Sequence, residues 1–317
     1  MDRFGLSEDV ALIGLRGLKA VAMADGVFED HERDLVRAAA RTLKVEVDVD
    51  ALEEATPEEV ASELIDPTHR ERLVQAQLIM AMIDGEISAP ELATLKRFAA
   101  ALDVDEPRLA NLRQLMNGHL RYVQFDLFRH SNMLNDVLRN AWRREGLRGV
   151  WKNTAPMQGL GAEDPELARK YLALGEYPEG SFGRAYFLHM TERGFTFPGE
   201  KKGFPEGFMK HDLCHVLADY DTDIVGETEV IGFISGFYER DPFSYFFMIA
   251  LHAHLGVEIF QGDATGTFEL HPDKVLAALE RGTKVNRDLY SLDLDWWDYL
   301  PRPLEEVRAE FNVVPKA

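Results

Sequence analysis

Apolar residues recur at helical spacing through the first third of the chain. The segments LVRAAARTL at 35–43 and LVQAQLIMAMI at 73–83 repeat Leu, Val, Ile and Ala in the manner of buried helix faces. Local chemistry marks the helix starts: Thr56 and Ser88 each precede a glutamate by three residues, as in a reciprocal capping box, and Asp66 precedes a proline. We therefore expect about five or more helices in this part.

The distribution of helix-breaking residues changes after this region. Glycine and proline interrupt the later sequence more strongly, and all four tryptophans, at 142, 151, 296 and 297, occur there. A chain of 317 residues is long enough for two independent cores. We predict an all-α protein with two helical domains, at 1–116 and 125–317, joined by a linker at 117–124.

Composition narrows the range of partners. The net charge is −20, which repels phosphate backbones and disfavours nucleic acid as a partner. The single cysteine, Cys214, allows no internal disulfide and fits a reducing compartment. No apolar run reaches the roughly 18 residues of a membrane span, and the first residues do not resemble a signal peptide. We expect a cytoplasmic protein, with peripheral membrane contact through an apolar surface left open.

An internal repeat occurs in the first domain. Asp25-Gly is followed by Glu32, and Asp84-Gly is followed by Glu91, at the same separation. These residues match part of an EF-hand loop, but the first and third loop positions are apolar in both copies, which disfavours calcium. In the alternative interpretation, each Asp-Gly ends one helix and each Glu lies in the first turn of the next.

The same repeat resembles the TerB-like family associated with tellurite resistance. The resemblance covers roughly residues 5–110 and rests on the A-D-G and I-D-G segments with their following acids. It implies an all-helical module with an acidic surface that acts in metal response or protein interaction. Asp25, Glu32, Asp84 and Glu91 are the acids it singles out.

A second motif offers metal ligands. His211, Asp212 and His215 are followed after eleven residues by Glu227. On a helix, His215 lies about 40° and Asp212 about 100° around the axis from His211, so the three can share one arc. Two imidazoles and two carboxylates suit zinc, and also iron or manganese. The alternative is that these residues are capping or otherwise satisfied polar groups on a helix.

This motif and its surroundings resemble the Coq-four family of ubiquinone-biosynthesis proteins. The motif is HDLCHVLADYDTDIVGE at 211–227, preceded by YPEGSFGRAYFLHMTERGF at 177–195 and followed by WWDYLPRPLEEVRAEFNV at 296–313. Together these segments cover most of residues 170–315. Residues 125–170 do not show the family's early segment clearly, and the fused N-terminal domain is not part of its common pattern.

The Coq-four resemblance implies a helical domain with a zinc-type site on four ligands. Residue by residue, they are His211, Asp212, His215 and Glu227. The family binds long isoprenoid lipids, is implicated in replacing the ring carboxyl of a prenylated quinone precursor by hydroxyl, and helps organise other quinone-biosynthesis enzymes. Four ligands would fill a tetrahedral zinc ion, so we expect Glu227 to leave the metal and, with Asp212, to carry protons.

Further residues are candidates for substrate binding. Apolar side chains around Phe233 and in the stretch 245–251, which includes Phe247, could line a tunnel for a prenyl chain, although core packing explains them equally well. Arg184 could pair with a carboxylate or a lipid phosphate, or with a neighbouring helix residue. Cys214 falls on the other side of the helix, and no Gly-x-Ser-x-Gly motif occurs, so covalent hydrolase chemistry has no support.

The prediction is therefore a metal-dependent protein of ubiquinone biosynthesis that acts in oxidative decarboxylation and hydroxylation of a prenylated ring. One alternative is a non-catalytic isoprenoid-binding scaffold that uses the same metal to hold two helices together. Another is a stress-response interaction protein that works through its acidic first domain.

Overall fold

The computed structural model describes residues 6–120, 163–255 and 270–316, apart from 202, 204 and 292. It also describes 122, 123, 126, 138, 139, 142, 143 and 146–151. Within these residues the chain is helical and contains no strand, only one isolated β-bridge between Ser181 and Pro303. The predicted all-α class is confirmed.

The helices are numbered here in chain order over the described residues. They are α1 (Glu8–Ala22), α2 (Asp30–Thr42), α3 (Pro57–Glu63), α4 (Pro67–Met80), α5 (Ala89–Ala101), α6 (Arg108–Met116), α7 (Pro165–Leu172), α8 (Phe182–Glu192), α9 (Met209–Ala218), α10 (Ile224–Phe237), α11 (Pro242–Leu255), α12 (Pro272–Gly282) and α13 (Leu304–Glu310). None of these helices has the length and apolar character needed to cross a membrane.

Helix starts in the first part follow the capping chemistry expected from the sequence. The Thr56 and Ser88 hydroxyls accept from the backbone N–H three residues on, and the glutamates at those positions accept in return. The Asp66 carboxylate accepts from the first backbone amides of α4. The helices that precede the two Asp-Gly segments end there, with Gly26 and Gly85 at φ of 93° and 90°, where glycine avoids a steric penalty.

The chain divides into two compact units, each built from several stretches of sequence. The first contains Met1–Leu127, Phe243–Ile259 and Ala264–Ala277; the second contains Phe128–Pro242, Phe260–Asp263 and Ala278–Ala317.

The first unit has α1 at its centre, with Leu15 and Leu18 in the core beside Phe98 of α5. Phe247 and Leu251 of α11 belong to the same core. This grouping differs from the predicted boundary, which placed all of 125–317 in a second domain, because the apolar face of α11 is buried with the N-terminal helices. Within the predicted linker 117–124, residues 121 and 124 lie outside the described part.

In the second unit, α10 and the last turn of α12 lie at very close range through two glycines. A Cβ on Gly282 would lie 2.0 Å from the carbonyl oxygen of Phe233, and one on Gly236 would lie 2.5 Å from that of Leu279. Only glycine permits this approach. This contact fixes α10, whose first turn carries Glu227.

Candidate metal centre

Helix α9 carries two of the predicted ligands on one face. The ring centroids of His211 and His215 are 4.8 Å apart, and their Nε2 atoms are 3.1 Å apart. His215 is 1% exposed, whereas His211 is partly accessible. The helix ends at Ala218, and the following Asp219 adopts the left-handed conformation at φ 59° and turns the chain toward α10.

The turn into α10 brings a carboxylate to both imidazoles. The Asp223 side chain caps α10 by accepting from the amide of Gly226 at 2.7 Å. A Cβ on Gly226 would lie 2.0 Å from the carbonyl oxygen of Asp221, so the close turn requires glycine. Glu227 Oε2 is then 3.0 Å from His211 Nε2, and Oε1 is 3.2 Å from His215 Nε2.

One backbone contact orients the buried imidazole. His215 Nδ1 is 3.3 Å from the carbonyl oxygen of Tyr220, which can only accept a hydrogen bond. With a proton on Nδ1, Nε2 is the ring nitrogen that faces Glu227, and its lone pair is available to a metal that replaces the proton shared with the carboxylate. A backbone carbonyl behind a ligand histidine is the usual arrangement at metal sites.

Three arginines hold the last turn of α9 and the turn into α10 in place. Arg193, at the end of α8, donates to Asp221 and Thr222 in the turn, each at 3.0 Å. Arg308 donates to the carbonyls of Val216 and Leu217, and Arg281 donates to that of Ala218. Guanidinium groups satisfy the last carbonyls of α9 and complement the negative end of its dipole. Val216, Leu217 and Ala218 form the last turn of α9.

The charges within the site favour an ionised carboxylate. Burial opposes ionisation of Glu227, but hydrogen bonds from His211 and His215 and their charges hold the pKa of its carboxyl well below its usual range. Burial alone would lower the pKa of His211, yet the hydrogen bond and charge of Glu227 raise it. Glu227 is therefore present as the anion that metal binding needs.

The donor set fits a divalent transition metal. One ligand atom from each of His211, His215 and Glu227 lies within 4.8 Å of the others, and no other group of this kind occurs among the described residues. Two imidazole nitrogens and one carboxylate suit zinc, iron or manganese, and three protein ligands leave a coordination position for water or substrate.

Asp212 is not brought into this cluster. It follows His211 on α9, but its carboxylate lies outside the group of three ligand atoms, because about 100° of helix rotation separates the two side chains. Burial raises the pKa of Asp212 to about 6, opposed by the charges of His211 and His215. Cys214 is fully buried, and burial raises the pKa of its thiol, so it offers neither a thiolate ligand nor a nucleophile.

The predicted substrate residues occupy separate places. Arg184 donates to the carbonyl of Gly175 and lies over the ring of Phe187. Phe233 packs in the second unit, whereas Phe247 lies in the core of the first, and both are fully buried. Core packing accounts for both rings, and their part in lipid binding stays a prediction. In the stretch 245–251, the side chain of residue 245 lies outside the described part.

The four acids of the N-terminal repeat bond to the backbone. Glu32 and Glu91 accept from the amides at the starts of α2 and α5, and Asp25 and Asp84 accept from amides two residues on. They form no close ligand cluster among the residues described. This is the arrangement expected from helix ends and capping.

Two residues that the sequence did not single out lie beside the cluster. His189 of α8 has its ring centroid 5.6 Å from that of His215, and Tyr186 lies one turn earlier on the same helix. Burial lowers the pKa of His189 to about 4, so its imidazole is neutral near pH 7. Only the segment 177–195 pointed to this helix, and nothing in its spacing indicates contact with α9.

No protein-family model matches this chain, and no curated protein matches it.

Proposed function

We propose that this protein is a metal-dependent protein of prenylated-quinone biosynthesis that replaces a carboxyl group on a prenylated phenolic ring by hydroxyl. The observation that carries the proposal is the convergence of His211, His215 and Glu227 from two helices. The Coq-four resemblance of segments 177–195, 211–227 and 296–313 supplies the substrate class. Zinc, iron and manganese are the proposed metals, and other quinone-biosynthesis enzymes are the proposed partners.

The residues of the site have separable tasks in this proposal. His211, His215 and Glu227 would hold the ion, which supplies a Lewis acid for a carboxylate or phenolic oxygen and, if it is iron, redox chemistry. Exchange of carboxyl for hydroxyl releases carbon dioxide and removes two electrons. The proposal therefore includes molecular oxygen as the oxidant, reduced to hydrogen peroxide, and water as the source of the new hydroxyl. Glu227 is a ligand that can also accept a proton, and Asp212, with its raised pKa, is a second proton carrier outside the ligand group.

Elemental analysis tests the metal site. We expect about one equivalent of zinc, iron or manganese in protein purified near neutral pH without chelator, and less than about a tenth of that in His215→Ala. His69→Ala, which changes a histidine of α4, should keep the metal. Absence of all three metals from the parent protein, or equal content in His215→Ala, would contradict the proposal.

A quinone profile tests the reaction. In cells that depend on this gene, Glu227→Gln should cause a prenylated ring acid to accumulate and the mature quinone to fall. Glu229→Gln is the matched control, because Glu229 lies on the same helix and pairs with Lys316 instead of the histidines. An unchanged profile with folded Glu227→Gln protein would favour the non-catalytic scaffold.

A further inference from the structure

The segment 138–152 differs in charge from the chain as a whole. It contains five basic residues and one acid, in a protein whose net charge is −20. The residues described there, which are 138, 139, 142, 143 and 146–151, are helical. This segment lies outside the three stretches that carry the Coq-four resemblance, and it contains none of the candidate metal ligands. Neither feature accounts for its composition.

The helical stretch 146–151 turns apolar side chains toward solvent. Gly149 is buried, whereas Leu147 is 76% exposed and Trp151 is 54% exposed. On a helix, these two side chains and Arg148 lie within about 100° of arc, on the side opposite Gly149. A surface helix normally buries its apolar arc and presents polar residues to water, so this stretch has the reverse arrangement.

The same combination of side chains occurs earlier in the segment. Arg139, Trp142 and Arg143 follow one another at spacings of three and one, and all three are exposed, Trp142 by 55%. The two remaining tryptophans are different, because Trp296 is 2% exposed and Trp297 is half-buried. The basic–aromatic group is defined here as the six exposed residues Arg139, Trp142, Arg143, Leu147, Arg148 and Trp151.

We propose that the basic–aromatic group binds the surface of an anionic lipid bilayer. Arginine is attracted to anionic headgroups, and indole and leucine side chains enter the boundary between headgroups and acyl chains. A nucleic acid or an acidic protein would also neutralise the arginines. A bilayer, in addition, offers Leu147 and both indoles a fluid apolar phase that requires no matching pocket.

The negative net charge of the protein does not prevent this contact. Electrostatic interactions are screened over about 8 Å at physiological ionic strength, so the charges close to the bilayer dominate. Each arginine at an anionic surface strengthens binding by about fivefold. The contact is therefore local and reversible, and salt weakens it.

Vesicle co-sedimentation of the intact chain tests the inference without any substitution. At about 100 mM NaCl, we expect vesicles of phosphatidylcholine with about 30% phosphatidylserine to bind the protein at least tenfold more tightly than vesicles of phosphatidylcholine alone. Raising NaCl to about 500 mM should release the protein. Equal binding to the two kinds of vesicle would overturn the inference.

Charge variants locate the contact. Replacing the three arginines of the basic–aromatic group by glutamine should weaken binding about a hundredfold, at about fivefold for each arginine. The matched control removes the same charge from exposed positions of the first unit and should bind like the parent: Lys96→Gln, Arg97→Gln and Arg113→Gln. Equal vesicle binding by the two triple variants would also overturn the inference.

Tryptophan emission distinguishes a bilayer from other anionic partners. Transfer of Trp142 and Trp151 from water to the bilayer boundary should shift the parent's emission to shorter wavelength. The double variant Trp142→Ala/Trp151→Ala should bind about tenfold more weakly and show no such shift. If polyuridylate or polyglutamate binds the parent as tightly as the anionic vesicles and vesicles cause no shift, a polyanion replaces the bilayer and the inference is overturned.

These outcomes are independent of the proposed function. His215→Ala, which removes a candidate metal ligand, should bind anionic vesicles as the parent does. Vesicle binding by a parent protein that holds no metal would support this inference and overturn the proposed function. Metal in the parent together with no binding to anionic vesicles would overturn this inference alone.

Discussion

His215 illustrates how single residues are fixed at the site. One ring nitrogen contacts the Tyr220 carbonyl, and the other faces both His211 and Glu227. The motif predicted that these three side chains would converge, because their spacing on α9 and across one short turn is local. It overestimated Asp212, since a 100° rotation carries that side chain away from the cluster. His189 could not be predicted, because it reaches His215 only when α8 packs against α9.

Glu32 gives a prediction at the same scale. It is 3% exposed, and burial raises the pKa of its carboxyl to about 8, with a smaller contribution from the charge of Glu91. The hydrogen bond from the Glu29 backbone amide acts in the opposite direction and lowers this pKa. A carboxyl that holds its proton in the folded state is stabilising at low pH. That stability is lost as pH rises toward about 8, by up to about 1.4 kcal/mol per unit.

We therefore expect Tm of the parent protein to fall between pH 6 and pH 8.5, and to fall less in Glu32→Gln, which keeps the capping geometry. Glu59→Gln is the control, because Glu59 occupies the same capping position in α3 but is exposed and has a lowered pKa. Identical pH slopes in the parent and Glu32→Gln would show that Glu32 is ionised throughout this range.

At the scale of elements, α9 and α10 bring His211, His215 and Glu227 together, and the ends of helices are set by two kinds of interaction. Caps within three residues, such as those at Thr56 and Ser88, were predictable because donor and acceptor are near in sequence. Arg281 and Arg308, which cap the end of α9, are far from it along the chain. No local pattern can indicate such partners.

Gly226 provides the prediction for this pair of helices. Gly226→Ala would force apart the Asp221 carbonyl and the first turn of α10. We expect the unfolding free energy to fall by about 1–3 kcal/mol. We also expect a lower metal content, because the movement displaces Glu227. Gly14→Ala should instead stabilise the protein by about 0.5–1 kcal/mol, because a Cβ there meets nothing within 4 Å in α1.

Urea unfolding and elemental analysis of both variants measure these effects. Retention of the metal by Gly226→Ala at the parent's level would mean that the turn tolerates rearrangement without moving Glu227.

At the scale of the whole molecule, charge is the dominant property that the sequence predicts directly. A net charge of −20 disfavours the compact state through self-repulsion, which salt screens. We expect Tm to rise between about 20 and 300 mM NaCl, with KCl giving the same increase. A response to only one of the two salts would point to specific ion binding, and no response to either would show that the charges are already balanced locally.

The interleaving of the two units was not predictable from composition. An apolar run such as 245–251 has the same sequence pattern whether it packs in the first unit or in the second. Only the packing of Phe247 with the N-terminal helices assigns this run to the first unit.

That interleaving has a consequence for how the gene can be divided. A fragment that stops near residue 127 would lack α11, and the apolar surface that Phe247 and Leu251 cover would be bare. A fragment that starts there would carry α11 without its core. During synthesis, the first unit cannot close until residue 277 has left the ribosome, so nascent chains would need protection from aggregation for most of translation.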